Sequence, residues 1–484
     1  MTRNIIIKSV VSIILVGLII WAISCAVNPV TQKREFMLLT ETNEITLGQQ
    51  TDGEILQTYG MYENPGLSEY INSIGQKMAK LSHRSNLQFS FKLLDSPVIN
   101  AFAVPGGYVY CTRGILAYLN NEAELAGVLG HEIGHVTARH SAQQYSKAQV
   151  AQLGLGLGVA LSETFRKYAG IANFGVGMLF LRFSRDNERQ ADALGVEYST
   201  RAGFDANHMA NFFETLERLN PGSDRSGLPA WFSTHPNPPD RIAAVKRDTQ
   251  AWQTKVAAGQ FQVNADSYLS KINGMIYGED PQQGYVEGGI FYHPQLRFQF
   301  AVPAGWQLNN TPSQVQIFNE KQDAVILFSV SQDATPAVAA TNFSTSSGAV
   351  VRTSEATRVN GLTAQHVVSD LTHEGAVYSF SSYFIQKDGK IFAFHGYTTQ
   401  AQLATYLPAF NQTMTQFKNL TDATKINVKP AQLVVKKTTS QTSLRTALQQ
   451  FGVAQDKLEE IAILNGRNLD DTVSANTMIK VVVK

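Results

Sequence analysis

His131-Glu132-Ile133-Gly134-His135 constrains this chain of 484 residues more than any other feature. Two histidines four residues apart turn through about 400° on an α-helix, so both imidazoles leave one face, roughly one turn apart. Such a face offers two neutral nitrogens to one Zn²⁺. Glu132 beside them can take a proton from water and return it to a leaving amine. The flanks predict a buried helix over residues 122–140, because Leu125, Val128, Leu129, Ile133 and Val136 recur at helical spacing. Asn121 followed by Glu124 resembles a capping box, which sets the helix start. His140 lies five residues beyond His135, about 500° on, which predicts that it points away from the ligand face. His83, His208, His293, His366, His373 and His395 lack a matching partner spacing and read as ordinary. A buried helix that matches the pattern by chance is the competing reading of this motif taken alone.

A hydrolytic zinc site needs a third protein ligand. The candidate lies in residues 183–195, where Glu188 and Asp192 stand four apart and share a helix face. One carboxylate can bind metal while the next accepts an N–H from a ligand histidine, fixing its tautomer. Read alone, Arg185, Asp186, Glu188 and Arg189 are better taken as solvated ion pairs. Behind the paired histidines the metal reading is preferred.

These segments resemble the gluzincin zinc metallopeptidases of the CAAX-prenyl-protease/HtpX/BepA type, in their soluble periplasmic branch. The likeness rests on HExxH, on the downstream E-x-x-x-D within Ser184-Arg-Asp-Asn-Glu188-Arg-Gln-Ala-Asp192-Ala-Leu-Gly195, and on four further segments. These are residues 28–39 (with Gln32 where the family usually has Gly), residues 100–107, residues 124–131, and Thr234-His235-Pro236 with Asp240-Arg241. It spans about residues 28–250. The resemblance implies that His131, His135 and Glu188 bind one Zn²⁺ per chain and that Glu132 is the general base and acid. It implies that Asp192 orients His131. It places His235 near the metal, where it stabilises the oxyanion or, as in some relatives, binds zinc and holds the site off. A plain turn residue before Pro236 is the alternative, and Arg241 is assigned no chemistry beyond buttressing that loop.

Residues 98–110 read as strand, turn at Pro105-Gly106-Gly107, and strand. In the resembled family this segment borders the cleft, which makes Asn100 and Ala101 candidate contacts for an extended peptide adding as a strand. A hairpin with only a structural role is the other possibility. Residues 150–182 are apolar and glycine-rich, but Glu163, Arg166 and Lys167 break them well short of a bilayer span, so helices or a lid are expected.

Arg3, an apolar stretch over residues 5–23 and Ser24-Cys25 form a secretory signal, and Ala22-Ile23-Ser24-Cys25 resembles a lipobox. Cleavage there would leave Cys25 lipidated and anchored to a membrane. An uncleaved transmembrane helix is the rival, although the uncharged run 9–24 is only 16 residues. Ala26 after Cys25 favours the outer membrane in a Gram-negative cell, hence a periplasm-facing lipoprotein of the cell envelope. With Cys25 consumed, Cys111 stands alone as a buried small hydrophobe. A net charge of +1 without basic runs argues against nucleic acid as partner.

Residues 273–289 read as a linker. Residues 290–420 change to short alternating strands, including 296–302, 324–330, 378–385 and 391–397, with an amphipathic helix over 400–417: a small accessory α+β sheet domain. Residues 430–484 follow a β-α-α-β order around Leu464-Asn465-Gly466 that resembles a LysM module, which implies peptidoglycan contact. Ser440-Gln-Thr-Ser443 stands where that module usually carries Gly-Asp.

The expected architecture is therefore multidomain α+β. A lipoprotein signal peptide (1–24) precedes a mainly helical metallopeptidase domain with a small edge hairpin (25–272), followed by linker, sheet domain and LysM-like module. The expected function is an exported zinc metalloendopeptidase acting on misfolded or unassembled envelope proteins through a zinc-activated water. Its alternative is an envelope assembly factor or chaperone whose latent zinc site is held off by His235. A peptidoglycan hydrolase is a third reading, resting only on the C-terminal module.

Overall fold

A computed structural model describes residues 25–152, 182–219, 231, 234–235, 240–256, 259–373 and 375–484. Residues 1–24, where a signal sequence is expected, and almost all of the apolar segment 150–182 lie outside the described residues, as does Pro236. The described residues form two compact units: those within 25–56, 60–278 and 432–483 make the first, and those within 279–431 the bulk of the second. No described helix is long and apolar enough to cross a membrane.

In the first unit, strands β1 (Cys25–Val27) and β2 (Arg34–Phe36) pair antiparallel, with Cys25 opposite Phe36. Gln32, between them, has φ 59°, the left-handed conformation that makes glycine the usual residue there. Asn28 is fully buried and donates to the Ala138 carbonyl at 3.2 Å, tying this hairpin to the end of the histidine helix. Helices α1 (Glu41–Tyr59) and α2 (Pro65–Ala79) follow, then a sheet of order β3-β5-β4 from β3 (Ser90–Leu94), β4 (Ala101–Val104) and β5 (Tyr108–Thr112). The expected hairpin is the β4–β5 pair, turned through Gly106 and Gly107 at φ 84° and 96°. A side chain on Gly107 would meet the Gln88 carbonyl at 2.5 Å. β3 adds to β5 in parallel, so β4 is left as an edge strand.

After α3 (Arg113–Tyr118) comes the histidine helix α4 (Glu122–Thr137). The Asn121 side chain accepts from Glu124 N at 2.8 Å, and the Glu124 carboxylate reaches back to Asn120 N at 2.7 Å, so two orphan amide groups find partners. Further helices are α5 (His140–Gln152), α6 (Arg185–Arg201), α7 (Asn207–Arg218), α8 (Arg241–Val256) and α9 (Ala265–Ile272). α4 and α6 approach closely because glycines line their contact. A Cβ on Gly130 would lie 3.0 Å from the Gly195 carbonyl, and one on Gly195 would lie 2.9 Å from His131 N.

Residues 273–289, read as a linker, carry ordered structure: Gly274 N and Met275 O bond Leu433 in both directions at 2.8 Å, and Tyr285–Glu287 is strand β6. The second unit continues with β7 (Ile290–His293), β8 (Phe298–Ala301), β9 (Gln307–Asn310), β10 (Gln314–Phe318) and β11 (Ala324–Ser331). α10 (Pro336–Ser347) leads into the long meander β12 (Val350–Val359), β13 (Leu362–His373), β14 (Ala376–Lys387) and β15 (Lys390–Thr399). α11 (Leu403–Thr415), β16 (Lys418–Asn419) and α12 (Ala423–Ile426) close it. Its main sheet is seven-stranded, in the order β12-β13-β14-β15-β11-β10-β9, with a four-stranded sheet β16-β8-β7-β6 beside it. The alternating pattern of β11 and β15 buries Ile326, Phe328, Phe392 and Phe394 in one phenylalanine-rich core with Phe298, Phe300 and Phe417.

The last segment comprises β17 (Gln432–Lys437), β18 (Thr442–Ser443), α13 (Leu444–Gln450), α14 (Leu458–Leu464), β19 (Thr472–Val473) and β20 (Met478–Val483), with β17 and β20 antiparallel. It does not stand apart. Leu433, Leu444, Leu448, Ile461 and Ile479 belong to the same buried cluster as Leu125, Leu129 and Ile133 of α4.

Candidate metal centre

The helix expected over 122–140 runs from Glu122 to Thr137, three residues short of the expected end, and every residue from Ala123 to Thr137 is buried. His131 and His135 present their Nε2 atoms 3.0 Å apart. Facing them, α6 begins at the Ser184 N-cap in a capping box with Asn187, which presents Glu188 one residue later to the histidines. Glu188 Oε1 lies 3.4 Å from His135 Nε2, and Oε2 lies 3.6 Å from His131 Nε2. His235 joins them, its Nδ1 at 3.1 Å from Glu188 Oε1 and 3.3 Å from His131 Nε2. One ligand atom from each of His131, His135, Glu188 and His235 falls within 4.8 Å of all the others. Without a cation, three imidazole nitrogens would crowd one another here. Glu188 Oε2 and His235 Nε2 are buried without a hydrogen-bond partner among the described residues. Two such features, a convergent donor set and unpartnered lone pairs, fit a divalent ion bound by nitrogen and oxygen.

The groups behind the two α4 histidines set their tautomers. His131 Nδ1 lies 2.9 Å from Asp192 Oδ1, so the carboxylate takes that N–H and leaves Nε2 as a free lone pair. Arg241, at the start of α8, donates to both Asp192 oxygens at 2.7 Å and approaches Glu188 Oε2 at 3.5 Å. Its guanidinium stacks over Phe213 at 3.9 Å and is buried, so its place is in the site rather than on a loop surface.

His140 departs from expectation. The helix stops at Thr137, and Arg139 takes φ 58°, so α5 starts in a new direction and turns the His140 ring back toward the site. Its Nδ1 lies 3.0 Å from His135 Nδ1, and its Nε2 lies 3.0 Å from Gln190 Oε1. The Gln190 carbonyl oxygen takes the Nε2–H of His140, whose Nδ1 then accepts from His135 Nδ1–H, leaving His135 Nε2 free. Counting about 100° per residue through an interrupted helix gave the wrong direction. Trp231 is a second residue without a sequence signal: its ring stacks on His235 at 4.3 Å, and His235 N donates to the Trp231 carbonyl. Phe183 covers His135 at 4.0 Å from the other side.

Burial shapes the protonation of the cluster. It pushes His135 and His140 down to about 3 and His131 well below its ordinary value, although Glu188 opposes this at His131. All three are thus neutral, as metal ligation requires. Burial alone would raise Glu188, but His235, His135 and His131 together hold it well below the usual carboxylate range. Burial raises Glu132 to about 7, with His235 opposing, and neither of its oxygens has a hydrogen-bond partner among the described residues. Glu132 Oε1 lies 3.7 Å from His235 Nε2.

Asn100 lies just before β4, where its N–H bonds Thr112 Oγ1 at 3.2 Å and its carbonyl accepts from Thr112 N at 3.1 Å. Ala101 is buried opposite Cys111. The outer edge around β4 is already engaged in part: Trp231 N donates to the Ile99 carbonyl, and Ser141 Oγ to that of Ala103.

Two helices that carry paired histidines and a glutamate onto one buried point define the class, and sequence comparison agrees. The model of peptidase family M48 matches residues 65–249. Over 237 residues the chain is 31% identical to the beta-barrel assembly-enhancing protease of Escherichia coli (strain K12), covering 47% of each protein. Over 234 residues it is 30% identical to the mitochondrial metalloendopeptidase OMA1 of Schizosaccharomyces pombe, covering 46% of this chain and 68% of that one. The chain belongs to peptidase family M48. It spans about half the length of the beta-barrel assembly-enhancing proteases it matches.

Proposed function

We propose that the protein is a zinc metalloendopeptidase that hydrolyses peptide bonds in misfolded or unassembled proteins of the cell envelope. The observation that carries this reading is the buried convergence of His131, His135 and Glu188 beside an unpartnered Glu132. The names of the relatives, a protease that enhances β-barrel assembly and a metalloendopeptidase, support the substrate class. His131, His135 and Glu188 would hold one Zn²⁺, which when bound polarises a carbonyl and acidifies water. Asp192 and His140 hold the two imidazoles in the tautomers that point lone pairs inward. Glu132, raised by burial to about 7, takes a proton from the attacking water and returns it to the leaving amine near neutral pH. Asn100 and Ala101 would guide an extended peptide along the edge strand. In this role His235 donates to the developing oxyanion.

A second reading is favoured by one distance: His235 Nδ1 sits within 3.3 Å of His131 Nε2, inside the ligand cluster, and Trp231 stacks behind it. There His235 is a fourth ligand, and the protein is an assembly factor or chaperone with a latent site. Lipidation at Cys25, an outer-membrane, periplasm-facing location and peptidoglycan contact by a LysM-like 430–484 complete the proposal. The test is cleavage of unfolded casein by the zinc-loaded protein. Wild type should cut it, and Glu132→Gln should lose cleavage while keeping zinc. If both leave casein intact yet prevent its aggregation, the assembly-factor reading replaces the peptidase.

A further inference from the structure

The final strand reaches into the foundation of the histidine helix. Lys480, in the middle of β20, is fully buried, and its Nζ donates to the carbonyls of Ala117 at 2.7 Å and Leu119 at 2.8 Å. Those carbonyls belong to the C-terminal end of α3, where a helix leaves acceptors unsatisfied and favours a cation. One residue after Leu119, Asn120 begins the turn that caps α4, and its N–H is held by the Glu124 carboxylate. Glu124, in the first turn of α4, is buried; burial raises its carboxyl to about 7 and lowers the Lys480 ammonium to about 7, and the attraction between the two opposes both shifts. Lys480 Nζ is therefore held by the end of one helix while it feels the acidic start of the next. Asn465 fixes Lys480 in turn, accepting from its backbone N–H at 2.8 Å and donating to its carbonyl at 2.9 Å. Gly466 packs against Asn120: a Cβ there would meet Asn120 Nδ2 at 3.0 Å.

From this geometry we infer that residues 432–483 brace the histidine helix, with Lys480 as the positioning residue that sets the start of α4 and thereby the placement of His131 and His135. Glu124 and His131 are two helical turns apart on one rod, about 10 Å, so a displaced first turn moves the ligands with it. The inference rests on the zinc reading for its effect on metal, but not for the brace itself. A free-standing tether would need no buried lysine, because burying a cation is unfavourable unless its donors find partners.

The test uses the full chain with Lys480→Met and Glu124→Gln, the second keeping the shape of the capping carboxylate. Hydrogen exchange followed by mass spectrometry reads peptides within 120–131, and chelator competition reads the zinc dissociation constant. Lys480→Met should speed exchange in 120–131 by about tenfold and weaken zinc about three- to tenfold, with exchange in β13 and β14 unchanged. Glu124→Gln should speed exchange in the same peptides, and the double variant should lose less than the two singles added. If Lys480→Met does not fold, Glu124→Gln decides alone. Unchanged exchange at 120–131, or a lower melting temperature with unaltered zinc affinity, overturns the positioning role. Should wild type bind no zinc, the proposed function fails and the exchange result alone decides the brace.

Discussion

Both units enclose histidines, fully buried in the first and half-buried in the second, and in different company. In the second unit His395 hydrogen-bonds Ser382 Oγ at 3.0 Å and stacks on Phe343 at 4.2 Å, with no carboxylate partner shown. Burial lowers it to about 4, and nothing opposes the shift. In the first unit His131, His135 and His235 surround Glu188, with Asp192 and Arg241 behind. A lone half-buried imidazole with a hydroxyl partner is a satisfied packing residue; a buried group of them converging on a carboxylate is a place for a cation. The difference also sets how steeply each unit responds to acid.

The largest effect is expected where a buried charge loses its partner. Arg241→Met leaves Asp192 buried without its two 2.7 Å donors, and should cost about 3–5 kcal/mol of stability in the first unit. Denaturant-dependent hydrogen exchange of α6 and α8 checks it; a loss below about 1 kcal/mol would mean that the ion pair is not what joins α6 and α8.

Acid comes next. His395 has a folded value of about 4 against 6.5 unfolded, so the unfolded chain binds the extra proton first as pH falls. Its stability contribution is complete above pH 6.5 and is lost progressively toward pH 4, by up to about 3 kcal/mol. His395→Phe should flatten that slope in hydrogen exchange of β14 and β15. In the first unit, Glu132 and Asp192, raised by burial to about 7 and 6, give the opposite slope to His135 and His140 at about 3. The metal-free first unit should therefore respond to acid less steeply, per histidine held neutral, than the second.

A smaller, local effect concerns His140. His140→Phe keeps ring packing against Phe183 but removes the acceptor for His135 Nδ1–H. Zinc affinity should fall about tenfold with the fold retained. Equal affinity in chelator competition would show that His135 is oriented by something else.

The site was legible where its spacing was local. Four-residue intervals put His131 with His135 and Glu188 with Asp192, and the Asn121 cap fixed where the first helix begins. Gly130 and Gly195 carried a further signal, since two helices can approach this closely only where side chains are missing. His140 was misread because its direction depends on a left-handed residue at Arg139 that ends the helical count. Arg241, Trp231 and Lys480 depend on contacts between residues far apart in the chain, which periodicity does not encode. The alternating strands of the second unit were visible for the same local reason, but the order in which β15 pairs with β11 was not.

The most direct test is the zinc content of the purified full chain, by elemental analysis, for wild type and Glu188→Ala. Wild type should carry one zinc per chain, and the variant should lose it, with affinity reduced by more than about a hundredfold, beyond what changes behind the ligands achieve. A wild type without stoichiometric metal, or a Glu188→Ala protein that keeps its zinc, would contradict the account.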